Sequence, residues 1–190
     1  MLDFILLRIA KSSILSHFDS SKSVDMESLI QDYPFLNLYG ASFVTLYYDE
    51  NLRGCVGSII AHRTLFDDIK SNAYSSAFRD TRFNPIEENE FEHLSLEISV
   101  LSKPKLLEYS NFDDLIEKIR PNFDGLILKY GSFQGTFLPQ VWEQLSDAKS
   151  FLEQLSIKAG ANPTIYANHP DIYTYQVDSI KEKFDEILSL

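Results

Sequence analysis

Cysteine is almost absent: Cys55 stands alone among 190 residues. One thiol cannot close an internal disulfide, so nothing requires an oxidising compartment, and it cannot by itself ligate an iron–sulfur cluster. Positive charge is scarce, with 17 Lys and Arg against 28 Asp and Glu and a formal net charge of −11. Nucleic acid and anionic membrane surfaces are therefore not expected partners. Long apolar runs are missing too. No stretch approaches the roughly 20 residues needed to span a bilayer, and Met1 to Arg8, with an early acid and an early base, reads as a helix rather than a signal peptide. The expected location is cytoplasmic. Histidines are few and scattered: His17, His62, His93 and His169 form no i,i+4 pair and none lies at ligand spacing from Cys55. No metal site is expected, and no motif implies a cofactor. Gly131 and Gly135 mark a turn, since no Lys-Ser or Lys-Thr follows to make a phosphate loop.

What is present suits a globular α+β protein. Hydrophobic residues make up 44%, with 14 Phe and 10 Tyr to fill a core. The length fits one domain over 1–190, with room for two lobes. Helical spacing of Leu6, Leu7, Ile9, Ala10 and Ile14 predicts a helix over about 3–17. Phe43 to Tyr48 and Leu52 to Ile60, joined by Asp49-Glu50-Asn51, predict a β-hairpin. Thr64 with Asp67 resembles a capping box opening a helix that ends at Pro85. Leu96 to Leu101 alternates as a half-buried strand. Later come a helix opened by Ser110 and Asp113, short strands at 126–129 and 136–138, and a helix from Asp147 stopped by Gly160. Residues 172–177 read as a strand, and Ile180, Phe184, Ile187 and Leu188 as a terminal amphipathic helix. The order is irregular, with no repeating βαβ unit.

The chemistry concentrates in Leu52-Arg53-Gly54-Cys55-Val56-Gly57. If extended, this segment puts Arg53 and Cys55 on one face and Leu52 and Val56 on the other. A guanidinium beside a thiol favours the thiolate. Gly54 and Gly57 permit close approach and a bulge, whose freed N–H groups suit an anion or oxyanion. The same residues also fit a buried inert cysteine and a surface ion pair. Glu97 and Ser99 share the polar face of their strand, so Glu97 either reaches Arg53 or faces solvent. Arg82 and Phe83 lie in a Pro-ended loop, where Arg82 is either functional or a cap on a helix end. His62 serves as a base for Cys55 only if a turn brings it back.

The hexapeptide matches the LRGC-(I/V)-G signature of the AMMECR-type domain family, protein A of the AmmeMemoRadiSam system. Supporting matches follow in order at Asp80-Thr81-Arg82-Phe83-Asn84-Pro85, Leu96 to Leu101, Phe123-Asp124-Gly125-Leu126, Leu138-Pro139-Gln140-Val141 and Lys158-Ala159-Gly160. The sequence resembles that family over most of its length, less closely beyond Gly160. The resemblance implies a larger α+β lobe with an antiparallel or mixed sheet flanked by helices, a smaller lobe, and the signature near a cleft. It implies company with a Memo-like protein and a radical SAM protein, without a reaction. Two functions are in view. One is a small-molecule-binding or enzymatic cleft around Arg53-Gly54-Cys55, with Cys55, Arg53 and Glu97 as catalytic candidates and Gly54, Gly57, Arg82, Phe83 and Ser99 as pocket. The other is a non-catalytic module partnering a Memo-like or radical SAM protein.

Overall fold

The structure is a computed structural model that describes residues 2–190. In chain order the first elements are α1 (Ile5–Leu15), β1 (Tyr39–Tyr48), β2 (Asn51–Gly57), β3 (Arg63–Thr64), α2 (Leu65–Phe78) and β4 (Leu94–Leu101). They continue with β5 (Lys105–Leu107), α3 (Phe112–Lys118), β6 (Gly125–Tyr130), β7 (Phe133–Phe137), α4 (Ala148–Lys158), β8 (Asp171–Tyr175) and β9 (Val177–Lys183). They sort into two units, Met1–Leu101 with Asp178–Leu190, and Ser102–Val177. The fold is α+β, with antiparallel sheets flanked by helices.

In the first unit the strands run in the order β2-β1-β4-β9, and β3 pairs with the start of β1. β1 and β2 form the expected hairpin. Its two-residue turn places Asp49 at φ 45° and Glu50 at φ 65°, the left-handed pair that matches the twist of the strands. Side chains of β1 alternate. Val44 and Leu46 are fully buried in the core with α1 and α2, while Phe43, Thr45 and Tyr47 point to the opposite face. Thr64 caps α2 by accepting from the Asp67 N–H at 3.2 Å. The helix ends at Phe78, several residues before Pro85.

α2 also carries a carboxylate the apolar pattern conceals. Asp68 is fully buried and accepts from the Ser42 N–H (2.8 Å), Ser42 Oγ (2.7 Å), Ser58 Oγ (2.7 Å), Arg63 Nε (2.8 Å) and Asn72 Nδ2 (3.0 Å). This one side chain ties α2 to β1, to β3 and to the residue just after β2.

The terminal helix expected from Ile180, Phe184, Ile187 and Leu188 is not formed. Val177–Lys183 is instead strand β9, beside β4. One turn at 183–187, closed by Glu186 N–H to Lys183 O at 3.1 Å, brings Phe184 and Ile187 into the core. A single turn meets that spacing, and so short a segment gains more from an open sheet edge than from an isolated helix.

In the second unit the antiparallel order is β5-β8-β6-β7. β6 and β7 meet in a turn tighter than the Gly131–Gly135 bracket suggests, since Tyr130 already pairs with Phe133. Asn111, rather than Ser110, caps α3. Asp147 caps α4 by accepting from the Ser150 N–H, and Gly160 at φ 83° follows its end. Trp142 is buried, stacks on Phe151 at 3.7 Å, and donates Nε1–H to Asp124 O at 2.8 Å. Among the described residues no helix is long and apolar enough to cross a membrane.

Candidate functional site

The β1–β2 ladder sets the site through one irregularity. Tyr48 pairs with Asn51 and Tyr47 with Leu52, but Leu46 pairs with Gly54. Arg53 is the extra residue of a β-bulge, and the bulge reverses the alternation of everything beyond it. Cys55 therefore lies opposite Thr45 rather than Val44, on the face away from α2. Gly54 faces α2 so closely that an added Cβ would sit 2.1 Å from the Ser76 carbonyl oxygen.

The bulge corrects the expectation that Arg53 stands beside the thiol with Leu52 on the other face. Leu52, opposite Tyr47, falls on the Cys55 face. Arg53 makes a bidentate pair with Glu90, Nε to Oε1 at 2.8 Å and Nη2 to Oε2 at 3.1 Å, and donates Nη1–H to Asn84 O at 2.9 Å. The expected Glu97–Arg53 contact gives way to this one. The guanidinium that reaches the signature backbone is Arg82, whose Nη2 donates to Cys55 O at 3.2 Å. Asp80 accepts the Cys55 N–H at 2.9 Å and grips Arg82 at 2.6 and 2.9 Å. Those Arg82 hydrogen bonds hold the Asp80 carboxyl well below the usual carboxylate range against the opposing effect of burial, and the Cys55 N–H adds to them. The Cys55 N–H is thus committed to Asp80 and does not supply the open oxyanion donor that the glycines suggested. Phe83 packs between the two cations, its ring centre 6.0 Å from Arg53 Cζ and 5.5 Å from Arg82 Cζ. Arg82 serves this loop, not a helix end.

A row of side chains crosses the face from β2 to β4. Cys55, half-buried, accepts from Thr45 Oγ1 at 3.3 Å, and Thr45 pairs on its other side with Glu97. The next row is Gly57, Phe43 and Ser99. A Cβ at Gly57 would lie 2.3 Å from the Phe43 ring, so glycine lets that ring cross the strand. Glu97 accepts from Tyr47 Oη at 3.2 Å and from Ser99 Oγ at 3.3 Å, and Ser99 Oγ lies 2.8 Å from Ser179 Oγ on β9. Burial, then the adjacent Glu97 charge, pushes the Tyr47 phenol up to about 12, so it stays a neutral donor at neutral pH. Lys181 Nζ stands 4.2 Å from the Tyr47 ring centre and pairs with Glu50 at 2.5 Å. His62 Nδ1 lies 3.1 Å from Ile60 O in its own loop.

Five contributors escaped the sequence reading: Thr45, Tyr47, Asp80, Glu90 and Lys181. Thr45 and Tyr47 follow from hairpin parity once the bulge is known. The pairing of Glu90 with Arg53 spans 37 residues and leaves no local signal.

The AMMECR1 family model matches residues 7–180. Protein MJ0810 of Methanocaldococcus jannaschii is 32% identical over 181 residues, covering 93% of this chain and 88% of that protein. Protein SSO0193 of Saccharolobus solfataricus is 37% identical over 165 residues, covering 84% and 71%. Among solved structures, the uncharacterised protein PH0010 of Pyrococcus horikoshii aligns with a TM-score of 0.80 at 29% identity, over 94% of this chain and 90% of that one. By family match and by relatives spanning nearly its whole length, this chain belongs to the AMMECR1 family.

Proposed function

We propose that the polar face of the first sheet is a small-molecule site in which Cys55 is the reactive group and Glu97, with Tyr47, exchanges a proton with the ligand. The observation that carries this reading is the cross-strand row itself: a half-buried cysteine and a carboxylate flank one small hydroxyl residue, Thr45. Neighbouring strands lie about 4.8 Å apart, so a compact ligand resting over Thr45 touches both ends. Thr45 Oγ1–H supports negative charge on sulfur, and neutral Tyr47 donates where Glu97 accepts. Asp80 and Arg82 pin the outer edge of β2, which fixes the sulfur against that row. Arg53 acts at one remove, by holding the Glu90 segment to the bulge.

A thermal-shift screen of small polar metabolites tests this. At saturating concentration a ligand of this site is expected to raise the melting temperature of the full chain by about 5 °C or more. Cys55→Ser and Glu97→Gln should each abolish most of that shift while leaving the ligand-free melting temperature near its original value. Ligands whose shifts survive both substitutions bind elsewhere and contradict the reading. The second reading, a non-catalytic module acting with a Memo-like or radical SAM protein, rests on the family resemblance and requires no such ligand.

A further inference from the structure

The second unit holds a cavity of about 450 Å3 between the start of α3, α4 and the 163–169 segment, within the ~300–1,000 Å3 typical of small-molecule sites. Three of the nine lining residues, Phe112, Tyr166 and His169, bring aromatic rings to it, and each is held by neighbours. Tyr166 is only 6% exposed and donates its hydroxyl to Leu152 O at 2.6 Å. Phe112 leans on it at 5.0 Å. His169 stacks on Tyr109 at 4.2 Å with the planes 4° apart, and its Nε2 lies 2.7 Å from Tyr109 O. His169 also sits at φ 53° and ψ 60°, a left-handed conformation that non-glycine residues seldom adopt and that the surrounding contacts must hold.

The lining is lopsided in charge. It includes one carboxylate, Glu153, with neither Lys nor Arg, and one imidazole, His169, whose Nε2 is engaged at Tyr109 O. Glu153 has no ion-pair partner among the described residues. Aromatic faces present negative potential to a ligand, and an unpaired carboxylate among them adds a full negative charge. An anionic ligand is repelled there, and a neutral one leaves the carboxylate uncompensated. We propose that this cavity binds a small organic cation, an ammonium group carried on an apolar body. The cation lies against the Phe112 and Tyr166 rings with Glu153 as counter-ion, and the apolar body takes the remaining ring surface.

Titration calorimetry on the full chain tests this with three benzyl probes: benzyltrimethylammonium, its neutral carbon isostere neopentylbenzene, and the anion phenylacetate. The cation should bind at least about tenfold more tightly than the neutral isostere, and phenylacetate should not bind. Glu153→Gln should weaken the cation roughly tenfold, and Phe112→Leu should weaken it by a similar factor. Unchanged Trp142 fluorescence in both variants establishes that the unit remains folded. Equal affinity for cation and isostere, cation binding indifferent to Glu153→Gln, or no cation binding would each overturn the proposal. Glu153→Gln should leave the reactivity of Cys55 unaltered, so this test fails or succeeds independently of the Cys55 site.

Discussion

Gly54→Ala is expected to destabilise the first unit by about 3 kcal/mol or more, the range reached when a well-packed contact is overfilled. The reason is the identity of the obstructing atoms. A methyl group at position 54 would meet the Ser76 carbonyl oxygen at 2.1 Å and its carbon at 3.1 Å. These are backbone atoms of α2, which cannot rotate aside as a side chain does, so the helix or the strand must move. Gly131→Ala is the matched control. Nothing lies within 4 Å of a Cβ there and only the φ of 55° is unfavourable, a cost of about 1 kcal/mol. Urea unfolding followed by far-UV circular dichroism measures both. Trp142, the single tryptophan, lies in the second unit, so its fluorescence reports that unit separately. If Gly54→Ala costs no more than Gly131→Ala, β2 does not sit on α2 as described.

The second large effect is expected at Asp68. Truncating it to alanine leaves the buried Ser42 N–H without its acceptor, while the Arg63 guanidinium, 28% exposed, keeps Asn72 Oδ1 at 3.2 Å. Buried donors left unsatisfied cost about 1–3 kcal/mol each, and the lost charge-assisted bond to Arg63 adds to that. Asp68→Asn should lose less, since one amide oxygen still accepts while the new N–H groups face donors. The order Asp68→Ala worse than Asp68→Asn, and both worse than Asp113→Asn on the exposed side of α3, is the expected outcome by urea unfolding. An Asp68→Asn variant as stable as Asp113→Asn would remove Asp68 from its role. The consequence reaches the site, because Ser58 follows the signature strand directly and is held by Asp68 at 2.7 Å.

Much of this molecule is legible where chemistry is local. Thr64 and Asp147 cap helices because a side-chain oxygen meets an N–H three residues on, and that offset is visible in any sequence. The hairpin is legible for the same reason. Cys55 and its glycines are read from composition and resemblance alone. The partner of Cys55 is another matter. An unbroken two-residue hairpin puts Val44 opposite Cys55 and turns the sulfur toward α2. One bulged residue, Arg53, replaces Val44 by Thr45 and turns the sulfur to the polar face. Period-two reasoning assumes a continuous ladder, so it misplaces Arg53 and with it the expected guanidinium–thiol pair. Glu97, open in the sequence between Arg53 and solvent, instead accepts from Tyr47 and Ser99, since strand order is a non-local property. β9 is hidden in the sequence because Phe184 and Ile187 have helical spacing while the neighbouring Val177–Lys183 has a sheet edge to fill. Asp68 is not legible because a buried carboxylate inside an apolar helix face carries no mark in one dimension.

The account depends on where one sulfur points. Alkylation of Cys55 by iodoacetamide, followed by mass spectrometry across a urea series, measures this. The sulfur of this half-buried residue, on the polar face and hydrogen-bonded by Thr45, should label in the native protein at a rate flat in urea well below the unfolding midpoint. Thr45→Val should change that rate without changing its urea independence. If labelling instead rises only with the unfolded fraction, the thiol is sealed in the fold, and the row from Cys55 to Glu97 does not form a site.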